Sequence, residues 1–187
     1  MKRLCVYCGS SVGTRIEYLQ AAGDLASVMV ERGISLVYGG GGTGIMGAVA
    51  DAVLEAGGEA VGVITRDLMD LEVGHNGLDE MHIVDTMHER KQMMAELADG
   101  FISLPGGLGT LEEMFETLTW SQLGIHQKPC GMLNVCGYYD NLTAFLKHAA
   151  EEGFIKEAHR EMLLVDEDPA KLLLKLEKYR HILVKKV

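Results

Sequence analysis

The 187-residue sequence has few prolines, a minority of basic residues and no long apolar run. Only 3 prolines occur while 48% of the residues are hydrophobic, which excludes a disordered chain. The 17 lysines and arginines are outnumbered by 27 acidic residues, so the net charge of −10 argues against a nucleic-acid partner. No apolar stretch approaches the ~20 residues of a membrane-spanning helix, so no membrane association is expected.

Cysteine and potential metal ligands are also sparse. The apolar run at residues 4–8 is too short for a signal peptide, which predicts a cytoplasmic protein with reduced thiols. Cys5 and Cys8 have the spacing of a redox or zinc pair, but residues three apart in a strand point to opposite faces. We therefore predict structural thiols. The 7 histidines fit no familiar metal-site spacing, and neither a metal nor a cofactor is expected.

Glycine is abundant, with 23 residues, many at the ends of predicted strands. Apolar runs at 4–8, 34–38 and 60–64 predict strands, and periodic runs between them predict helices. This alternation predicts an α/β fold, a Rossmann-like doubly wound parallel sheet in a single domain spanning residues 1–187. Further strands are predicted at 81–84, 100–104, 130–135 and 162–165, and helices at 88–98, from 111, around 142–149 and from 169. Residues 65–80 are predicted to be a long irregular loop, a type that is usually functional.

Glycine-rich turns follow two predicted strands, at residues 39–44 and 105–110, and Gly9-Ser10-Ser11 follows a third. In an open parallel sheet, ligands bind outside the carboxyl ends of the strands, where strand order reverses. We therefore predict one crevice for a nucleotide-sized ligand, with Ser10, Gly41 and Gly42 among its contacts. The match of residues 42–47 to the dinucleotide pattern G-x-G-x-x-G, with Asp67 beyond it, is a weaker interpretation because it leaves the turn at 105–110 unused.

The turn at 105–110 has the composition of a phosphate site. It contains three glycines and opens a predicted helix, whose free N–H groups and positive dipole end suit an anion. The sequence from Thr110 to Glu113 also fits a capping box, in which Glu113 would simply bond the backbone of Thr110. Capping and chemistry are therefore both open for Glu113 on local pattern alone.

Arg90 and Lys91 fall in the first turn of another predicted helix, which begins after a Thr86/Glu89 capping pattern. The positive end of a helix dipole is an unfavourable place for two cations. Either the pair is solvated, or an anion or a carboxylate lies nearby.

These two regions carry a family resemblance. Met87-His88-Glu89-Arg90-Lys91, followed by Leu104-Pro105-Gly106-Gly107-Leu108-Gly109-Thr110-Leu111-Glu112-Glu113, closely resembles the Lonely Guy (LOG) family of cytokinin riboside 5′-monophosphate phosphoribohydrolases. The similarity continues through residues 119–126 and 134–139 and covers nearly the whole chain. The resemblance implies hydrolysis of the N-glycosidic bond of a cytokinin riboside 5′-monophosphate or AMP, releasing free base and ribose 5-phosphate. It also implies a homodimer with the site near the subunit interface.

The resemblance also implies which residues act. Arg90 and Glu113 are the implied catalytic pair. The implied substrate contacts are Glu72, Arg90, Lys91, Gly107, Leu108, Gly109, Thr110, Leu111, Glu112 and Thr119. Because glycosidic cleavage builds oxocarbenium character on the sugar, we assign charge stabilisation to Glu113 and a ribose hydroxyl to Glu112. Arginine is effectively always protonated, so Arg90 is expected to position groups electrostatically rather than to donate a proton.

Two alternatives stay open at this point. One is a non-catalytic carrier that binds a nucleotide or a molybdenum cofactor in the same crevice. The other is a general AMP nucleosidase without a role in cytokinin chemistry. Family members have also been labelled lysine decarboxylases, but nothing in the sequence identifies a lysine that would hold pyridoxal phosphate.

The strand placement of the two paired cysteines generates a first prediction. A Cys5→Ser/Cys8→Ser double variant that folds should keep its rate of base release from AMP, because neither thiol takes part in the chemistry. Circular dichroism would show whether the variant is folded, and a base-release assay would measure its rate. A folded but inactive double variant would contradict the structural interpretation.

Overall fold

The computed structural model describes residues 1–71 and 74–182, where strands and helices alternate along the chain. The strands are β1 (Arg3–Tyr7), β2 (Ser35–Tyr38), β3 (Ala60–Thr65), β4 (Glu80–Val84), β5 (Gly100–Ser103), β6 (Cys130–Leu133) and β7 (Leu163–Asp166). The helices are α1 (Ile16–Glu31), α2 (Gly44–Glu55), α3 (Arg66–Leu71), α4 (Met87–Leu97), α5 (Leu108–Gln122), α6 (Asp140–Glu151), α7 (Glu157–Arg160) and α8 (Pro169–Lys178).

The seven strands form one sheet in the order β4-β3-β2-β1-β5-β6-β7. Every pairing is parallel, and Val6 of β1 is aligned with Tyr38 of β2 on one side and Ile102 of β5 on the other. The order reverses between β1 and β5, so the loops after these two strands flank the switch point. The prediction of a doubly wound parallel sheet is confirmed.

Because successive side chains along a strand point to opposite faces of the sheet, the hydrophobic core is divided into two clusters, one on each face. Leu4 and Val6 pack with α1, α2 and α8, whereas Cys5 and Tyr7 pack with α4 and α5 on the opposite face. Cys8 belongs to the first cluster, so the predicted separation of Cys5 from Cys8 is confirmed. Burial raises the pKa of the Cys5 thiol well above its ordinary value, which makes it a poor nucleophile.

Two predicted boundaries are wrong. Residues 65–80 are not irregular throughout, because α3 occupies Arg66–Leu71 directly after β3, and the Thr65 hydroxyl accepts a hydrogen bond from Leu68 N at 3.3 Å. Helix α5 begins at Leu108 with Gly107 as its N-cap, earlier than the Thr110 start that the capping-box pattern predicts. A glycine in an extended conformation can open a helix without a capping side chain, and sequence pattern does not reveal this.

Two other helix starts follow their patterns. The Thr86 hydroxyl accepts from Glu89 N at 3.2 Å while the Glu89 carboxylate accepts from Thr86 N at 3.1 Å, a complete capping box for α4. Asp168 caps α8 with Pro169 in its first turn. Over the described ranges, none of the helices has the length and apolar character needed to cross a membrane.

The loop at residues 9–11 contacts both glycine-rich segments through its backbone at the carboxyl edge of the sheet. Gly9 O accepts hydrogen bonds from Ile45 N at 3.0 Å and Met46 N at 3.2 Å, and Gly9 N donates to Pro105 O at 3.2 Å. Gly44 has a φ of +63°, and a Cβ at this position would lie 2.2 Å from the backbone carbon of Ser10. The close approach of the loops therefore requires glycine at 44.

This contact predicts different costs for the same substitution at two glycines. Gly33 also has a positive φ, +65°, but a Cβ there meets nothing within 4 Å. We expect Gly33→Ala to cost only the conformational penalty of about 1–2 kcal/mol. Gly44→Ala must also displace the Ser10 backbone and should cost at least about 4 kcal/mol. Urea unfolding measures the free energy of unfolding of each variant. Equal losses of stability would contradict the tight contact between the loops.

Candidate active site

A crevice of about 320 Å³ opens at the switch point of the sheet. Its walls come from the loop after β1, the first two turns of α5, one side chain each from α2 and α3, and two side chains from α4. The lining residues are Cys8, Gly9, Ser10, Met46, Leu68, Met87, Arg90, Gly107, Leu108, Gly109, Thr110, Glu112 and Glu113. The volume lies at the lower end of the range for small-molecule sites.

The first turn of α5 supplies free backbone donors to one wall. The first intrahelical bond of α5 runs from Leu111 N to Gly107 O at 3.2 Å. The amides of Leu108, Gly109 and Thr110 therefore have no partner within the helix and sit at the positive end of its dipole. All three residues line the crevice, and such an arrangement binds phosphate groups.

The start of α2 offers no comparable site. In its first turn the amides of Ile45 and Met46 are bonded to Gly9 O within the protein. A Cβ at Gly47 would lie 2.4 Å from Gly42 O, so this glycine serves close packing of the turn against its own helix. The structure therefore argues against the dinucleotide interpretation of residues 42–47, because two of the amides that would hold a pyrophosphate are already paired.

Arg90 is a buried cation fixed by backbone carbonyls. It is 5% exposed, and it extends from α4 to the carboxyl ends of two strands. Its Nε donates to Val63 O and its Nη2 to Gly39 O, both at 3.0 Å. Its Nη1 donates to Glu113 Oε1 at 3.4 Å. The hypothesis of a solvated pair at residues 90 and 91 is wrong for Arg90.

Glu113 faces the crevice rather than the helix terminus. It lies in the second turn of α5, and its side chain is only 12% exposed. The N-cap of α5 is Gly107, with no side-chain cap, so the capping box that would have bonded Glu113 to Thr110 does not form. The carboxylate is instead paired with the Arg90 guanidinium. The structure therefore removes the capping explanation for Glu113.

Lys91 is held between two carboxylates on the same face of α5. Its Nζ lies 2.5 Å from Glu112 Oε1 and 3.0 Å from Glu116 Oε2. Burial lowers the pKa of Lys91, but the hydrogen bonds and charges of these carboxylates outweigh it and leave the pKa above its ordinary value. Lys91 is a permanent ammonium that holds Glu112 at the mouth of the crevice.

Other predicted contacts lie away from the crevice wall. Gly41 forms an isolated antiparallel bridge with Gly74, and Gly42 packs behind Gly47. Thr119 is exposed far along α5, and its hydroxyl donates to Phe115 O at 2.7 Å. Leu111 packs on the core cluster that includes Met114. Glu72 lies outside the described residues. Ligand contacts for these positions stay predictions.

Several residues at or near the crevice were not predicted as site residues from the sequence motifs. Met46, Leu68 and Met87 come from three different helices and give the crevice an apolar side. Glu116, which pairs with Lys91, lies one turn beyond Glu112 on α5. The four-residue spacing of Glu112 and Glu116 was the available signal, since it places both carboxylates on one helix face.

A second and larger cavity, of about 520 Å³, lies outside the sheet edge between α4 and α5. Its walls include Lys91, Glu116, Trp120 and Ile125, and Ile125 is 67% exposed. The ion pairs of Lys91 lie between this groove and the crevice. The Arg90–Glu113 pair therefore faces the smaller of the two cavities.

Comparison with known proteins agrees with this geometry. The family model described as "Possible lysine decarboxylase" matches residues 46–176. Cytokinin riboside 5′-monophosphate phosphoribohydrolase LOG of Oryza sativa subsp. japonica is 51% identical over 178 residues, covering 95% of this chain and 74% of that protein. The corresponding LOG5 protein of Arabidopsis thaliana is 50% identical over 181 residues, covering 97% and 79%.

Among solved structures, the molybdenum cofactor carrier protein of Chlamydomonas reinhardtii has a TM-score of 0.71 at 19% identity, covering 95% of this chain and 96% of that one. At this identity the likeness is one of fold alone. The family model spans most of the sequence, and the relatives match half of the residues over nearly its whole length. The chain therefore belongs to the Lonely Guy family of cytokinin riboside 5′-monophosphate phosphoribohydrolases.

Proposed function

We propose that this protein hydrolyses the N-glycosidic bond of cytokinin riboside 5′-monophosphates, releasing the free base and ribose 5-phosphate. The observation that carries the proposal is the Arg90–Glu113 pair, which faces the crevice beside the free amides of α5. One wall is suited to a phosphate and the adjacent wall presents a carboxylate to the sugar. The two features are one helical turn apart on the same element.

In this proposal the 5′-phosphate binds to the amides of Leu108, Gly109 and Thr110. The ribose then extends toward Glu113, whose negative charge stabilises the oxocarbenium character that develops as the bond to the base breaks. The oxygen of a water molecule bonds to C1′, and a proton passes to the departing base nitrogen. Glu112, held by Lys91, takes a ribose hydroxyl.

Arg90 acts without transferring a proton. Its guanidinium is permanently charged, and Val63 O and Gly39 O hold it so that Nη1 faces Glu113. It therefore places a fixed positive charge beside the Glu113 carboxylate and holds that carboxylate in position. Preorganised charge of this kind is commonly the largest single contribution to catalysis.

Lysine decarboxylation does not fit these residues. A lysine that forms a Schiff base needs a lowered pKa so that its amine is free. Lys91 has the opposite environment, since Glu112 and Glu116 raise its pKa above the ordinary value. The family description therefore does not describe what this crevice is built to do.

We further propose a cytoplasmic homodimer whose active sites lie near the subunit interface. Thr119, a substrate contact implied by the resemblance, is exposed on α5 some 16 Å along the axis from Leu108. This placement favours contact with a nucleotide held in the crevice of a second subunit. The apolar groove beside it, with Trp120 and Ile125, is a suitable surface for that subunit.

The reaction and its substrate are tested by incubating the purified protein with AMP and with isopentenyladenosine 5′-monophosphate. We expect free base from both and a higher kcat/KM for the isopentenyl substrate. Equal use of the two would identify a general AMP nucleosidase, and release of base from neither would contradict the proposed reaction.

The Glu113→Gln variant tests whether catalysis needs the negative charge of Glu113 or only the shape of its side chain. Gln is nearly isosteric but neutral, so we expect the fold to survive while the rate falls by roughly a hundredfold or more. Gln Oε1 can still accept from Arg90, but the bond loses the charge of the acceptor, so we expect a loss of stability of about 1 kcal/mol. Melting temperature and turnover are measured on the same sample.

The matched control is Glu55→Gln, which removes the same charge from an exposed position at the end of α2. Arg90→Ala should also lower the rate, and the Arg90→Ala/Glu113→Gln variant should lose much less than the product of the single losses. A folded and fully active Glu113→Gln protein would contradict the assignment.

The oligomeric state is a separate prediction. Sedimentation equilibrium should give twice the 20.4 kDa mass of one chain. Ile125→Asp should shift the mass toward that of a single chain, because a charge would then be buried in the proposed interface. A wild-type mass of one chain at micromolar concentration would contradict the dimer.

A further inference from the structure

The carbonyl groups of residues 104–106, which lead into α5, accept hydrogen bonds from other parts of the chain. Leu104 O accepts from the Tyr139 hydroxyl at 2.6 Å and Gly106 O from the Tyr138 hydroxyl at 2.6 Å. Pro105 O, between them, accepts from Gly9 N at 3.2 Å. Three consecutive peptide groups are therefore fixed in orientation before α5 begins.

The bond from Tyr138 has a particular consequence. A peptide group is planar and normally trans, so its C=O and N–H point in opposite directions. With Gly106 O held toward Tyr138, the N–H of Gly107 must point away from Tyr138. Gly107 is the N-cap of α5, and it lines both the crevice and an adjoining cavity of about 280 Å³ whose wall includes Tyr138. Because Tyr138 lies on the side of that adjoining cavity, an N–H that points away from Tyr138 faces the crevice.

The hydrogen bond from the Tyr139 hydroxyl does not orient an N–H group in this way. The peptide group that contains Leu104 O continues to the nitrogen of Pro105, which carries no hydrogen. Tyr139 is 1% exposed, and burial raises its pKa above the ordinary value, so its phenol is a permanent donor to the end of β5. It secures a buried carbonyl without orienting an amide.

The two tyrosines are themselves rigidly presented. Asn134 Oδ1 accepts from Tyr139 N at 2.7 Å, and Asn134 Nδ2 donates to Asp140 Oδ1 at 2.8 Å. The rings of Tyr138 and Tyr139 meet edge to face at 4.9 Å, and Tyr18 of α1 packs edge to face on Tyr138 at 5.6 Å. The Tyr138 ring is thus supported by packing that does not depend on its hydroxyl.

We propose that Tyr138 is a positioning residue for phosphate binding: its hydroxyl, by holding Gly106 O, aims the Gly107 amide and the start of α5 at the substrate phosphate. The proposal rests on the proposed function for the identity of the anion. It concerns only the 5′-phosphate, so the base and the sugar should be recognised normally when the hydroxyl is absent.

Tyr138→Phe tests this with minimal disturbance. The ring packing on Tyr18 and Tyr139 is retained, and water can reach Gly106 O because Tyr138 is 42% exposed. We expect KM for AMP, and the inhibition constant of ribose 5-phosphate, to rise together by ~3- to 10-fold, the worth of one hydrogen bond. Inhibition by adenosine, which lacks the phosphate, should not change, and kcat should stay the same.

Tyr139→Phe is the matched control, because it removes the same atom from the neighbouring residue. It leaves the buried Leu104 O without its donor, so we expect a lower melting temperature but an unchanged ratio of ribose 5-phosphate to adenosine inhibition constants. In the described part of the chain the Tyr18 hydroxyl makes no hydrogen bond to the turn. Tyr18→Phe should therefore leave the melting temperature and the ratio of inhibition constants as in the wild type.

The outcomes are distinguishable. A Tyr138→Phe protein with wild-type inhibition constants, or with equal weakening for ribose 5-phosphate and adenosine, would overturn the positioning role. Failure of the wild-type protein to release base from AMP or isopentenyladenosine 5′-monophosphate would instead overturn the proposed function, whatever the variant does.

Discussion

A single buried guanidinium joins the elements that form the floor of the crevice. Arg90 leaves α4 and bonds the carbonyls of Val63, at the end of β3, and Gly39, just beyond β2. Its remaining face meets Glu113 of α5. Burying an unpaired charge would be very unfavourable, so the two strand ends and the carboxylate must stay in place around it. The position of Glu113 therefore depends on the sheet as well as on its own helix.

The crevice exists because backbones approach closely around it. Gly9 bonds both α2 and the turn before α5, and Gly44 leaves no room for a Cβ against Ser10. These contacts pair the amides of Ile45 and Met46 in the first turn of α2, whereas the amides of Leu108, Gly109 and Thr110 have no partner within α5. Two glycine-rich turns of similar appearance thus differ: one is joined to the loop after β1, and the other leaves amides available to an anion.

Much of the fold was predictable because it depends on local patterns. Apolar runs separated by amphipathic helices imply parallel strands, and the capping residues Thr86 and Asp168 mark helix starts that the structure confirms. The start of α5 was predicted too late, because Gly107 opens the helix without a side-chain signal. The short helix α3 was missed within a stretch whose glycines and polar residues indicate a loop.

The sequence by itself determined the class of fold, the glycine turns and, through the family motifs, the identity of Arg90 and Glu113 as a pair. Only the tertiary structure decided what each group does there. It showed that Arg90 is held by two carbonyls, that Lys91 is bound by Glu112 and Glu116, and that Tyr138 supports the turn. These partners are 21 to 51 residues apart. No local pattern encodes such contacts, because strand order and helix packing bring them together.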